Sequence, residues 1–304
     1  MEKEEILQIM PERIRRVVMQ AVTEWESLQE IHIRNGRHIV LVIKGEKILP
    51  DQGGQVVGVR EFREILEHIS NYSLYAFEEE IRKGYLTIPG GHRVGVAGKV
   101  LLDQGQVRTI RHITFLNIRV SHEILGCADR IMPVLFDKDR FLSTLIVSPP
   151  GAGKTTLLRD IVRQTATGGG MFPPKNVSVI DERSEIAGCY MGVPQRDVGI
   201  HCDVLDACQK QEGIRMMLRS MAPEVIAVDE IGAPQDYEAL ITALTSGCAL
   251  LATVHGNSFP HIREKPQLKR MLDERMFERV LFLQGGEPGK ITAVYDGRGQ
   301  VVSK

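Results

Sequence analysis

The stretch Ser148-Pro149-Pro150-Gly151-Ala152-Gly153-Lys154-Thr155-Thr156 constrains this chain more than any other. An apolar run, Leu142 to Val147, precedes it and reads as a buried strand, and Leu157 to Ala166 follow with the composition and spacing of a helix. Strand, glycine loop, helix is the order that a phosphate-binding loop requires. Gly151 and Gly153 let the backbone curl so that successive N–H groups point at a phosphate, with the positive end of the helix macrodipole behind it. The pattern assigns Lys154 to the outer phosphates of ATP and the Thr155 hydroxyl to Mg²⁺. It expects glycine where Ser148 stands, a position at which a small residue can also turn. The competing account is a surface turn rich in Gly and Pro that happens to contain Lys-Thr. The flanking strand and helix weigh against it.

At 304 residues the chain exceeds one average domain, so two domains are expected. Lys plus Arg total 38 against 39 for Asp plus Glu, which leaves no global charge to draw the protein onto nucleic acid or an anionic membrane. Five cysteines without a C-x-x-C pair suit reduced thiols in cytoplasm. His201, Cys202 and Cys208 lack a second ligand pair, so no metal site is assigned to them. The start, Met-Glu-Lys-Glu-Glu, has no signal-peptide character and no apolar run reaches membrane-spanning length. A soluble protein is expected, with any membrane association made through a partner.

Residues 3 to 23 carry apolar positions at helical spacing, with Pro11 placed to begin a second helix; Arg13, Arg15 and Arg16 read as a solvated face. Ile31 and Ile33 then alternate with polar residues, Asn35-Gly36 reads as a hairpin turn, and Ile39 to Ile43 read as its return strand. Lys44-Gly45-Glu46 is a further turn. Val59 to Ile69 and Leu74 to Arg82 read as helices. Between Gly84 and Val120 lie extended runs bearing Arg93, Arg108, Arg111 and Arg119. Those arginines suit the exposed side of an antiparallel sheet. Guanidinium forks also suit phosphate, and some of the four are candidates to reach a nucleotide across a subunit boundary. Residues 123 to 141 read as a helix and linker, which places a domain boundary near Ser121: a small α+β unit over 1–121, then an α/β ATPase domain over 122–304.

In that second part, Val177, Val179 and Ile180 form a buried strand that delivers Asp181-Glu182-Arg183-Ser184-Glu185 at its carboxyl end, where ligands sit in open α/β sheets. Gly188 to Asp203 read as an irregular loop and Asp206 to Ser220 as a helix. Val225 to Val228 then run into Asp229-Glu230, the pattern of a Walker B strand, in which Asp229 meets Mg²⁺ and Glu230 polarises the attacking water. Cys248 to Val254 are a further strand, ending where Thr253 or His255 can sense a terminal phosphate. Gly285-Gly286-Glu287-Pro288-Gly289 and Asp296-Gly297-Arg298-Gly299 carry hairpin chemistry. Alternating strands and helices from 142 to 283 predict a mainly parallel sheet covered on both faces.

The glycine loop, the acidic strand end at 181–185, Asp229-Glu230 and Ala252-Thr253-Val254-His255-Gly256-Asn257-Ser258 follow the order of the Walker A, Asp, Walker B and His boxes of type II and type IV secretion ATPases. Leu74-Tyr75-Ala76-Phe77-Glu78-Glu79-Glu80-Ile81, Ile88-Pro89-Gly90-Gly91-His92-Arg93-Val94-Gly95 and Leu116-Asn117-Ile118-Arg119-Val120 resemble the sporulation stage III AA family, and this resemblance spans nearly the whole chain. The chain departs from the secretion ATPases at Ser148, at Arg183 in place of the Asp-box proline, and in its compact N-terminal domain. The resemblance implies a RecA-like ATPase working as a homo-oligomeric, hexameric ring. It implies a place in the cytoplasm of the mother cell, beneath the inner-membrane sporulation channel proteins that link it to the forespore. It matches Glu182 to an Asp-box acid and His255 to the His-box histidine, and makes Arg93, Arg108, Arg111 and Arg119 candidates to complete a neighbour's site. Two other readings stand beside it. A nucleic-acid-binding ATPase would grip a strand with its N-terminal unit, against which the near-neutral charge and the lack of a dense Lys/Arg stripe count. A ring that binds ATP only for assembly would have little use for Glu230.

Overall fold

The structure is a computed structural model, and it describes residues 2–50, 54–170, 172–285 and 289–303. The chain divides into two units, Met1–His122 and Glu123–Lys304. Among the described residues no helix is long and apolar enough to cross a membrane.

The first unit opens with α1 (Glu2–Gln8) and α2 (Glu12–Ala21), separated at Pro11, whose extended backbone starts the second helix. Strands β1 (Leu28–Arg34), β2 (Val40–Ile43) and β3 (Glu46–Ile48) follow, then α3 (Val59–Ile69), a single 3-10 turn at Leu74–Phe77 and α4 (Glu78–Lys83). Strands β4 (Tyr85–Ile88), β5 (His92–Asp103) and β6 (Gln106–Arg119) complete an antiparallel sheet in the order β3-β2-β1-β6-β5-β4. Strand alternation sends Ile31, Ile33, Leu41, Leu86, Ile88, Val94 and Ile118 to a fully buried face. The helices bury Ile14 and Val18 from α2 and Phe62, Ile65 and Ile69 from α3.

Two-residue turns form where the residues favour positive φ. Lys44 (φ 52°) and Gly45 (φ 82°) link β2 to β3, and Gln104 (φ 48°) and Gly105 (φ 80°) link β5 to β6. Asn35-Gly36 behaves differently from the tight hairpin expected. Pairing of β1 with β2 stops at His32 opposite Val40, because Ile33 and Arg34 continue only along β6. The Asn35 and Gly36 N–H groups donate instead to Thr114 (3.0 Å) and Val57 (2.8 Å) carbonyls. Of the three N-terminal arginines only Arg16 lies on a solvated face. Arg13 grips Glu61 of α3 through Nε and Nη2 at 2.7 and 2.8 Å, and Arg15 donates to the Leu7 carbonyl in the last turn of α1 and to the Met10 carbonyl in the link that follows. The long β5–β6 ribbon carries a bulge at Gly98, where a Cβ would come within 2.6 Å of the Arg111 and His112 carbonyl oxygens.

The second unit begins without the helix expected over 123–141. Gly126 takes φ 79° and Pro133 has no N–H to donate, so the segment forms a 3-10 turn at Met132–Leu135 and a short hairpin, β7 (Phe136–Asp137) with β8 (Arg140–Phe141). The remaining elements are β9 (Thr144–Ser148), α5 (Lys154–Thr167), β10 (Val177–Asp181), β11 (Cys202–Asp206), α6 (Lys210–Ser220), β12 (Val225–Val228) and α7 (Pro234–Thr245). After them come β13 (Ala249–His255), α8 (Phe259–Arg263), α9 (Pro266–Asp273), β14 (Arg279–Leu283), β15 (Ile291–Asp296) and β16 (Val301–Ser303). The eight-stranded sheet runs β11-β10-β12-β13-β9-β14-β15-β16, parallel from β11 to β14 and antiparallel through β15 and β16. Strands β9, β10 and β12 are buried at every position, as a sheet covered on both faces demands.

Strand β11 lies within what the sequence presents as loop and helix start. Its residues, Cys-Asp-Val-Leu-Asp, alternate only weakly, and it forms by pairing along β10 at the sheet edge. Of the glycine-rich run between β14 and β15, residues 286–288 lie outside the described residues.

Candidate active site

Parallel register carries the candidate residues to one edge of the sheet. His255 at the end of β13 lies opposite Ser148 at the end of β9, Val228 of β12 pairs with Ile180 of β10, and Asp181 closes β10 opposite Asp206. The loop from Pro149 to Gly153 leaves β9 at that edge. Gly151 and Gly153 take φ 73° and 81°, the left-handed turns that the loop needs, and Gly153 caps α5. Ser148 needs no such freedom. It is the last extended residue of β9, fully buried, with its Oγ donating to the Pro149 carbonyl at 3.0 Å. The backbone at 148 thus makes no left-handed turn that would call for glycine. Ala152 packs in the core, and its N–H reaches back to the Pro149 carbonyl at 3.4 Å. Thr156, in the first turn of α5, turns its carbonyl to the Cys127 thiol.

The side chains that follow the loop meet the acids that end β12. Lys154, 8% exposed, places Nζ 2.8 Å from Glu230 Oε1 and 3.2 Å from Asp229 Oδ1. Thr155 Oγ1 donates to Asp229 Oδ2 at 2.7 Å. The Thr253 hydroxyl from β13 completes the cluster: it donates to Asp229 Oδ1 and accepts from the Glu230 N–H at 2.9 Å. Glu230 sits at φ 53°, a left-handed conformation that turns its carboxylate back over the strand tips. His255 Nε2 stands 3.0 Å from Glu230 Oε1 and Arg183 Nη1 is 2.5 Å from Oε2. Burial pushes the Glu230 carboxyl up, but the hydrogen bond and charge of Lys154, joined by Arg183 and His255, hold it below the ordinary glutamate value.

The turn after β10 is built on Asp181. Its buried carboxylate accepts from the N–H groups of Glu185 (2.8 Å), Ile186 (2.9 Å) and Ala187 (2.9 Å). Burial nonetheless pushes its pKa up to about 6, against the pull of those amides and with a further push from Asp206. Arg159 of α5 grips the same segment from the other side, donating to the Ile186 carbonyl at 2.5 Å and the Glu185 carbonyl at 2.7 Å. This turn presents Glu182 and Arg183 to a small cleft lined also by Glu185, Lys210, Asp229 and Glu230. Glu182 is engaged by Lys210 Nζ. Lys210 carries no signal in the sequence, since nothing in a helix start of Lys-Gln-Glu marks it as facing an acid; only the packing of α6 beside β10 brings it there.

The four arginines belong to the first unit. Arg93 lies over the Tyr85 ring, 4.2 Å from its centroid, and is cross-strand partner to Arg119, whose Nε lies 3.5 Å from Glu30. Arg108 lines a polar cleft with Glu78, Glu79 and Arg82, and Arg111 pairs across the ribbon with Lys99.

A glycine loop that leads from β9 into a helix, on a mainly parallel sheet whose acid-tipped strand β12 lies one strand away across β13, defines the RecA-like P-loop ATPase fold. Similarity to solved structures agrees on that fold. The ATPase DotB of Yersinia pseudotuberculosis superposes with a TM-score of 0.60 at 14% identity, covering 96% of this chain and 78% of that one. The pilus retraction motor PilT, solved with bound ADP, gives a TM-score of 0.60 at 15% identity over 95% and 82% of the two chains. Within that class, the family described as "Sporulation stage III, protein AA" matches residues 1–302, and the chain belongs to it. Stage III sporulation protein AA of Bacillus subtilis (strain 168) is 42% identical over 302 residues, 99% of this chain and 97% of the relative.

Proposed function

We propose that this chain is an ATP hydrolase that works with Mg²⁺ in a homo-oligomeric ring, hexameric by the resemblance. Its place is the mother-cell cytoplasm, against an inner-membrane channel complex that serves endospore formation. One observation carries the reading: Lys154 and Thr155 from the glycine loop meet Asp229 and Glu230 from β12 in a single hydrogen-bonded cluster. The sporulation name of the B. subtilis relative and the motor named by the PilT structure support its setting.

The chemistry divides among the residues of the cluster. Backbone N–H groups of the loop from Gly151 to Thr156 cradle the phosphates, with Lys154 on the outer ones. Thr155 Oγ1 and the Asp229 carboxylate are hard oxygen donors, the type Mg²⁺ accepts alongside substrate phosphates and water, so they fit that ion and would hold it. Bound there, Mg²⁺ would neutralise charge developing on the phosphate oxygens. Glu230 orients a water and accepts its proton as the water oxygen bonds to Pγ and the bond from Pγ to the bridging oxygen breaks, giving ADP and inorganic phosphate. His255 and Thr253 hold Glu230 at the strand tips, and Glu182 flanks the cleft. Arg93, Arg108, Arg111 and Arg119 are proposed to complete the site of a neighbouring subunit.

The test is nucleotide binding and turnover of two variants. Lys154→Ala should lose measurable binding of a fluorescent ATP, while Glu230→Gln should retain it and hydrolyse at least roughly a hundredfold more slowly. Hydrolysis by Lys154→Ala at the wild-type rate would overturn the assignment.

A further inference from the structure

Arg183 is the one long cation on the acidic turn, and it crosses the cleft to Glu230. It takes Oε2, the carboxylate oxygen opposite the one shared by Lys154 and His255. Its side chain is 63% exposed, and its guanidinium is paired with Glu230 at the open side of the cleft. Its base, by contrast, is fixed. The Asp181 carboxylate holds the amides of Glu185, Ile186 and Ala187, Ser184 stands at φ 54°, and the Ser184 hydroxyl donates to Asp206 at 2.7 Å. A solvent-facing arm on a rigid base can exchange one anion for another without moving the fold. Two cations from separate elements thus hold the same carboxylate, and one of them, Lys154, is the residue placed to meet the outer phosphates.

A γ-phosphate beside Lys154 carries more negative charge than a carboxylate, and its oxygens match the guanidinium fork. ADP offers no such group. We propose that Arg183 reads the γ-phosphate from within its own chain, exchanging Glu230 for the γ-phosphate oxygens when ATP binds and so releasing Glu230 to its water. The inference rests on the ATPase reading above and names a residue that reading leaves unassigned. Arg183 then does two things at once: it discriminates ATP from ADP, and it restrains Glu230 until the substrate is complete.

The experiment compares the full-length wild type with Arg183→Ala and Arg183→Lys, each with Mg²⁺. ADP and the non-hydrolysable β,γ-imido analogue of ATP displace a fluorescent ADP, giving two affinities per protein. Arg183→Ala should lose roughly tenfold or more in affinity for the imido analogue and stay within about twofold for ADP, with Arg183→Lys recovering part of the loss. Equal losses for both nucleotides, or no loss for either, would show that Arg183 only props the turn. Tighter imido binding by Arg183→Ala would show that it guards Glu230 without touching phosphate, which also overturns the proposal. A wild-type protein that binds neither nucleotide would sink the ATPase reading itself, and this inference with it.

Discussion

Ser148 turns a departure from the motif into a measurement. Because its backbone is extended and its hydroxyl is held by the Pro149 carbonyl, glycine would add only unfolded-state entropy there. Ser148→Gly should cost roughly 0.5–1 kcal/mol in urea unfolding and leave nucleotide affinity within about twofold. Asp181 gives a prediction in pH. Its folded pKa, about 6, lies above the ordinary aspartate value of 3.8, so between those values the folded protein binds the additional proton. That raises stability as pH falls, opposite in sign to the paired Glu230 and Glu61 carboxylates, whose values are lowered. Wild type should therefore gain stability relative to Asp181→Asn on going from pH 7.5 to pH 4.5, read as the difference in denaturation midpoints. Lys154, Thr155, Asp229 and Glu230 were legible in the sequence because each follows a local pattern of apolar strand and loop. Arg159, Lys210 and the grip of Arg183 on Glu230 were not, since helix packing and strand order, rather than neighbouring residues, bring them to the cleft.

At the scale of elements, α6 shows how closely a helix can be drawn onto the sheet. Gly213 faces Ile180 of β10, and a Cβ there would stand 2.7 Å from Ile180 Cγ2 and 3.3 Å from Leu205 Cδ2. Glycine to alanine in a helix ordinarily gains about 1 kcal/mol. Here overpacking should win, so Gly213→Ala should lower stability by about 1–3 kcal/mol, a shift visible in the urea midpoint. The strongly patterned elements were readable: β9, β12, β14, α3 and α7 follow apolar runs or amphipathic repeats. Strand β11 was hidden because an edge strand with half-exposed residues takes its conformation from pairing with β10. The stretch over 123–141 misled for a related reason. Its apolar residues, Ile131, Met132 and Leu135, are buried as a helix's would be, but they reach the core from a turn, with the Ala128 N–H tied to Asp160 of α5 at 2.7 Å.

At the scale of the whole molecule, the expected fold class, an α/β domain with a mainly parallel sheet preceded by a small α+β unit, is the one observed. The sequence could announce it because strand–helix alternation and tight turns are both local signals. If the ring proposed above shares its sites between subunits, specific ATPase activity should climb with protein concentration. Arg93→Ala and Arg119→Ala should lower the high-concentration rate more than the dilute one. Turnover assays across a concentration series, with sedimentation in parallel, check this; activity that is flat with concentration from a monomeric species would remove the shared site.

The pairing of His255 with Ser148 across β13 and β9 also governs where this gene can change length. A codon inserted in the crossover between β13 and β14 lengthens a connection and leaves the facing residues in place. One inserted within β13 shifts His255 by a residue and reverses the side of the sheet that it and Thr253 occupy, detaching both from Asp229-Glu230 while the glycine loop stays intact. Length variation among functional descendants of this chain should accordingly collect between strands and spare the last four residues of β13.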